Sequence, residues 1–149
     1  MKTVYLGLGS NLGDRRALLE DALRRIEDAG ITITKRSTII ETEPAYVLDQ
    51  PRFLNMAIEA QTTLMPRVLL RTLQRIEREM GRKKIIDKGP RSIDIDILFY
   101  GDTVIRSKDL TIPHALLHER RFVLEPLLEI APRLLHPLLR RTIAELALL

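Results

Sequence analysis

The chain has no cysteine and no tryptophan, and only three tyrosines and three phenylalanines among its 149 residues. Without cysteine, a disulfide framework, a thiolate metal site and a thiol nucleophile are all excluded. Six aromatic rings hardly supply, besides a core, the exposed stacking platform with which sheet modules hold single-stranded RNA. Side-chain amides are scarcer still: Asn11, Gln50, Asn55, Gln61 and Gln74. No apolar run approaches the ~18 residues a membrane span requires. No basic, apolar and small-residue leader precedes the first strand-like residues, so the expected setting is cytoplasmic, with no membrane partner. No repeat, low-complexity tract or Gly/Ser linker divides the chain, and residues 1–149 read as a single domain. That length can bury ~68–70% of the unfolded surface. It is too short for an eight-unit barrel or a two-half dinucleotide fold. The balance of 24 basic to 20 acidic residues gives a net charge of +4, which suits a small anionic ligand and is too weak to argue for nucleic acid.

What is present is ordered patterning. Thr3–Gly9 reads as a strand, and Gly9-Ser10-Asn11-Leu12-Gly13 as a turn cluster leading into a helix with the stripe Leu18, Leu19, Ala22, Leu23 and Ile26, stopped by Gly30. β-Branched residues predict a second strand over Ile31–Thr42, and a loop bracketed by Pro44 and Pro51 follows. Phe53–Thr62 alternates, with Leu54, Met56, Ile58 and Ala60 on one face and Phe53, Asn55, Glu59 and Gln61 on the other. Pro66 opens a second helix striped by Leu69, Leu73, Ile76 and Met80 and ended by Gly81. Ser92–Tyr100 alternates again, a Gly101-Asp102 turn leads to a short Thr103–Ile105 return, and a proline-punctuated helical tail completes the chain. This order predicts an α+β sandwich, an antiparallel sheet with helices on one face. Gly7-Leu8-Gly9-Ser10-Asn11-Leu12-Gly13 superficially resembles a dinucleotide fingerprint, but its last interval is one residue too long. It reads instead as a tight turn beside a site.

The chemistry concentrates in Ser92-Ile93-Asp94-Ile95-Asp96-Ile97. Alternation sends the isoleucines to the core and both carboxylates to the opposite face. Asp is a poor strand former, and two carboxylates about 7 Å apart on one face can hold magnesium, which completes its shell with water and phosphate oxygens. Just upstream, five cations fall within the ten residues Arg82–Arg91, a basic loop of the kind that neutralises charge in phosphoryl transfer. Phe53 beside Asn55 can stack on and hydrogen-bond a flat heterocycle, unless they are a surface ring and a structural amide. Arg120 and Phe122 would share a side if that segment is extended; the alternative for Phe122 is core packing with Val123 and Leu124. Gln74 and Glu77 share a helix face. His114 follows Pro113 in a loop. The aspartate pair would equally serve a nucleotidyltransferase, and a basic α+β sandwich could be an RNA-binding module.

Taken in order, these residues resemble the 6-hydroxymethyl-7,8-dihydropterin pyrophosphokinase family of folate biosynthesis. The resemblance covers essentially the whole chain. It rests on Gly9-Ser10-Asn11-Leu12, Phe53-Leu54-Asn55, Gln74 and Glu77 with Gly81-Arg82, the specific run Gly89-Pro90-Arg91-Ser92-Ile93-Asp94-Ile95-Asp96-Ile97, Pro113-His114 and Arg120-Arg121-Phe122. It implies a ferredoxin-like α+β fold and transfer of pyrophosphate from ATP to the pterin hydroxymethyl group, releasing AMP. Asp94 and Asp96 would hold two Mg2+ ions, with Arg82 and Arg91 stabilising the transferred group. The resemblance assigns the pterin to Phe53, Asn55, Phe122 and the Thr42, Pro44 and Ala45 backbone. It assigns ATP to Gln74, Glu77, Lys84, Arg91, Ile97, Thr111, His114 and Arg120. The Pro44–Pro51 and Arg82–Pro90 loops would be closing lids. ATP and the reduced pterin are the expected partners, and the protein is expected to be a monomer. The chain departs from the family pattern where Lys88 precedes Gly89 instead of Arg-Trp, where Lys84 stands for Arg and Phe53 for Tyr, where Ala115 follows His114 in place of Tyr, and where Asp109 occupies an often basic position.

Overall fold

A computed structural model describes residues 1–43, 49–81 and 92–149. The chain opens with strand β1 (Lys2–Ser10) and helix α1 (Arg15–Asp28), whose N-terminus is capped by the Asp14 carboxylate accepting the Ala17 N–H. Two short strands follow, β2 (Thr32–Arg36) and β3 (Ile40–Thr42), and then the long strand β4 (Phe53–Thr62). Helix α2 (Pro66–Glu79) starts on Pro66, whose missing N–H costs nothing in the first turn. Strand β5 (Asp94–Tyr100) leads into a small hairpin of β6 (Ile105–Arg106) and β7 (Thr111–Ile112). A 3-10 turn at Leu117–Glu119 precedes helix α3 (Arg121–Ile130), and α4 (Ile143–Leu146) closes the chain behind a Thr142/Glu145 capping box.

The main sheet has the order β2-β4-β1-β5, with β3 also paired to β4 and every ladder antiparallel. On one face, Leu19, Ala22, Leu23 and Ile26 of α1 and Leu69, Leu73 and Ile76 of α2 pack on Val4, Leu6, Leu8, Met56, Ile58, Ile95 and Ile97. Burying each of the leucine, isoleucine, valine and methionine side chains contributes roughly 1.5–3 kcal/mol. The α+β class and antiparallel sheet are those the sequence predicts.

Four local expectations are corrected. Helices cover both faces of the sheet, not one: Leu124, Leu127 and Ile130 of α3, with Ile143 and Leu146, pack on Tyr5, Ala57, Leu98 and Phe99 of the other face. The predicted strand Ile31–Thr42 is two strands, because Ser37 turns inward between them: its N–H donates to the Ala57 carbonyl and its hydroxyl accepts the Ala57 N–H. The return after Gly101 does not pair with β5; Ile105–Arg106 pairs with Thr111–Ile112 instead. Gly7 and Gly9 lie within β1, so the turn starts two residues later than Gly9, after Ser10.

Candidate active site

Sheet register assembles the site. Gly9 stands opposite Asn55 on β4 and opposite Asp94 on β5, and Gly7 stands between Ala57 and Asp96 in the same way. Two rows therefore cross the sheet, Asn55–Gly9–Asp94 and Ala57–Gly7–Asp96. Their middle positions carry no side chain, which leaves a trough between the amide and the carboxylates. The glycines are required by packing. A Cβ on Gly9 would meet Oδ1 of Asn55 at 2.8 Å and Cδ1 of Phe53 at 3.5 Å, and one on Gly7 would press on Leu98 at 3.4 Å. Phe53, Asn55, Asp94 and Asp96 share this face by alternation along their strands.

Asp94 and Asp96 are half-buried, and Ile95 between them turns into the core. The strand that carries them is held at its backbone by α2: Oε2 of the buried Glu77 accepts the Ile95 N–H at 2.8 Å. Glu77 therefore acts as a strut beneath the aspartates, while Gln74, one turn back, is exposed. Among the described residues no cluster of three or more potential protein ligands forms. Two half-buried carboxylates side by side on one strand face fit a magnesium ion that takes its remaining oxygens from water and phosphate. They do not fit the closed N/S site of a structural zinc.

Asn55 is 8% exposed, and its Nδ2 donates to Oγ1 of Thr42 at 2.6 Å. Phe53 and Phe122 are both half-buried, and among the described residues neither belongs to either apolar cluster. The neighbours of Phe122, Val123 and Leu124, pack in the cluster of the second face. Arg120 and Phe122 do not share an extended segment, since α3 begins at Arg121 with Arg120 as its cap. The helical turn still brings them together, with the guanidinium 5.7 Å from the ring centroid, a cation–π distance.

On the β5 side, the His114 N–H donates to the Leu98 carbonyl at 3.1 Å, fastening the loop after β7 to the sheet edge. Burial holds the His114 imidazole below its usual range, helped by the nearby Arg120 guanidinium and opposed by Asp94. The His114 ring thus lies within reach of both the Arg120 and the Asp94 charge. Thr111 and His114 line a groove of about 660 Å3 together with Arg106 and Lys108. Ile97 faces the core from β5, the edge strand of the sheet.

Two features escaped sequence reasoning. Asp109, acidic where a base is common, is gripped by Arg67 of α2 through Nε at 3.1 Å and Nη2 at 3.2 Å, so its charge is matched locally. Asn11 is buried and donates to Oε1 of Gln50 and the Pro51 carbonyl at 2.8 and 2.9 Å, fixing the chain at the entry to β4, where Glu43 and Arg52 also pair at 2.7 Å. Neither contact has a local signal, since the partners are about forty residues apart. Pro44, Ala45, Arg82, Lys84 and Arg91 lie outside the described residues, as do most of the two proposed lids.

Comparison with known proteins shows the family and the fold. The family model for 7,8-dihydro-6-hydroxymethylpterin-pyrophosphokinase matches residues 5–132. A 2-amino-4-hydroxy-6-hydroxymethyldihydropteridine pyrophosphokinase of Aquifex aeolicus is 46% identical over 145 residues, which are 97% of this chain and 90% of that protein. The folic acid synthesis protein fol1 of Pneumocystis carinii is 49% identical over 143 residues, 96% of this chain. The mitochondrial folate synthesis bifunctional protein of Pisum sativum is 51% identical over 127 residues, 85% of this chain. The chain spans only 19% and 25% of those two longer proteins. Among solved structures, an HPPK-DHPS in complex with substrates superposes with a TM-score of 0.79 at 17% identity, covering 98% of this chain and 43% of that one, which establishes the shared fold. The chain belongs to the 7,8-dihydro-6-hydroxymethylpterin-pyrophosphokinase family.

Proposed function

We propose that the protein transfers pyrophosphate from ATP to the hydroxymethyl group of 6-hydroxymethyl-7,8-dihydropterin, a step of folate biosynthesis. The observation that carries this reading is that Asn55 stands across Gly9 from Asp94, on the sheet face that also carries Phe53 and Asp96. A flat heterocycle lying over the glycine trough would have its polar edge at Asn55 and its substituent directed toward the carboxylates. The name of the Aquifex aeolicus relative, most of whose length this chain covers, states the same activity.

In the reaction the pterin hydroxyl oxygen attacks the ATP β-phosphorus. The bond from that phosphorus to the oxygen bridging it to the α-phosphate breaks, AMP departs, and the hydroxyl proton passes to solvent. Such a transfer asks little covalent help of the protein and much positioning. Asp94 and Asp96 would hold magnesium, whose charge supplies neutralisation of the phosphate oxygens. Phe53 and Phe122 would stack on the pterin ring, and Asn55 with the Thr42, Pro44 and Ala45 backbone would read its edge. Arg82 and Arg91 would stabilise the transferred group. Gln74, Lys84, Ile97, Thr111, His114 and Arg120 would receive ATP, and Glu77 would hold the aspartate strand in place. Exclusion of water by the lids would protect ATP from hydrolysis.

Phosphorus NMR of the products formed from ATP, magnesium and the reduced pterin tests the reading. AMP and a pterin diphosphate are expected in equal amounts. ADP formed without the pterin, or free pyrophosphate as the leaving product, would refute it.

A further inference from the structure

Thr42 and Asn55 meet across the β3–β4 pair. Thr42 is registered opposite Phe53, and Ile40 opposite Asn55, so Thr42 and Asn55 are diagonal neighbours on the face that carries the site. Nδ2 of Asn55 donates to Oγ1 of Thr42 at 2.6 Å, and Oδ1 sits over the bare α-carbon of Gly9. The terminal torsion of an asparagine is broad and roughly two-fold when nothing holds it. Here the amide is held from both sides, in a residue that is 8% exposed.

We propose that the Thr42 hydroxyl is a positioning group that fixes the plane of the Asn55 amide. This rests on the assignment of the pterin to this face, and it gives Thr42 a side-chain role besides the expected backbone contact. A primary amide has two N–H donors and one acceptor oxygen. With one N–H spent on Thr42, Asn55 presents one donor and one acceptor at fixed places. That pair suits heterocycles that carry an acceptor next to a donor on one edge, as a cyclic amide or amidine does. A ring lacking either partner leaves a polar group of the site unpaired and is rejected more strongly than size alone would require. Thr42 touches the chemistry only through Asn55.

The scarcity of amides makes this directly measurable, because Asn11, Gln50, Asn55, Gln61 and Gln74 are the only side chains that give primary-amide NH2 pairs in a nitrogen–proton correlation spectrum. In the full chain without ligand, Thr42→Val should collapse the dispersed Asn55 pair toward the averaged position of a free amide, while Thr42→Ser keeps it. In turnover, Thr42→Val should raise KM for the pterin about three- to tenfold, the loss of one buried hydrogen bond, with kcat and KM for ATP unchanged. Thr42→Ser should restore the pterin KM to within about twofold of the parent. An Asn55 pair unmoved by Thr42→Val would overturn the proposal. So would a loosened amide with an unchanged pterin KM, or equal damage in the Val and Ser variants. A parent protein that binds ATP but no pterin would refute the functional reading itself, and the substrate-reading role of Thr42 would go with it.

Discussion

Gly9 and Asn55 touch across the β1–β4 ladder: a Cβ on Gly9 would lie 2.8 Å from the Asn55 amide oxygen. The glycine is there because the amide needs the space. The same α-carbon faces Asp94 on its other side, so one missing side chain opens the passage between the amide and the carboxylates.

Gly9→Ala is therefore expected to push the Asn55 amide off its place while the fold survives. Overpacking of this kind costs about 1–3 kcal/mol. Pterin affinity should fall by about tenfold or more for the same reason, with ATP affinity little changed. Calorimetric titration of the variant with each substrate separates the two effects.

Glu77 supports the aspartate strand at its backbone by accepting the Ile95 N–H. Glu77→Ala leaves that N–H in a buried setting without its acceptor and should lower stability by about 1–3 kcal/mol. Glu77→Gln keeps an oxygen in place and should lose less. Hydrogen exchange at the Ile95 amide, faster in the alanine variant and near the parent rate in the glutamine variant, checks the assignment.

The pH dependence of stability has a definite sign. Burial, with His118 nearby, holds the imidazole of His136 below its usual range, and His114 is held down in the same direction. Unfolded histidine takes a proton near pH ~6.5 while these two resist it, so the unfolded state binds more protons and stability falls as pH drops through that region. His136 accepts the N–H groups of Leu138 and Leu139 at Nδ1 and meets Phe99 edge-on at 5.7 Å. Asparagine can reproduce the acceptor but does not titrate. His136→Asn should lower the melting temperature at pH 7 and flatten its decline between pH 7 and 5, as followed by calorimetry. An unchanged slope would contradict the assignment.

The sequence made some of this visible because the signals are local. Alternation along Phe53–Thr62 sets both the ends of β4 and its two faces, since Leu54, Met56, Ile58 and Ala60 leave no other register that buries them. The aspartates of β5 were legible in the same way. Position across the sheet is a different matter, because no single strand states which residue will stand opposite Gly9. The glycines consequently read as a turn, although they are the floor of the site. The division of Ile31–Thr42 depends on Ser37 bonding to Ala57, twenty residues away. Coverage of the second face did have a signal. Leu98, Phe99 and Tyr100 are three consecutive apolar residues, and all are buried, as happens in a strand packed on both sides. That run, and the bulge that places Leu98 between the Tyr5–Phe99 and Leu6–Ile97 pairs, account for where the helical tail docks.

The account depends most on Asp94 and Asp96 acting as the metal-bearing face of a site whose other half reads the pterin. The measurement that tests this most directly is pterin-dependent AMP formation by Asp96→Ala, set beside its pterin affinity and its melting curve. The variant should remain folded and bind the pterin as the parent does, with turnover reduced by at least ~10²-fold, the scale of losing a principal electrostatic contribution. Turnover close to that of the parent in a folded variant would contradict it.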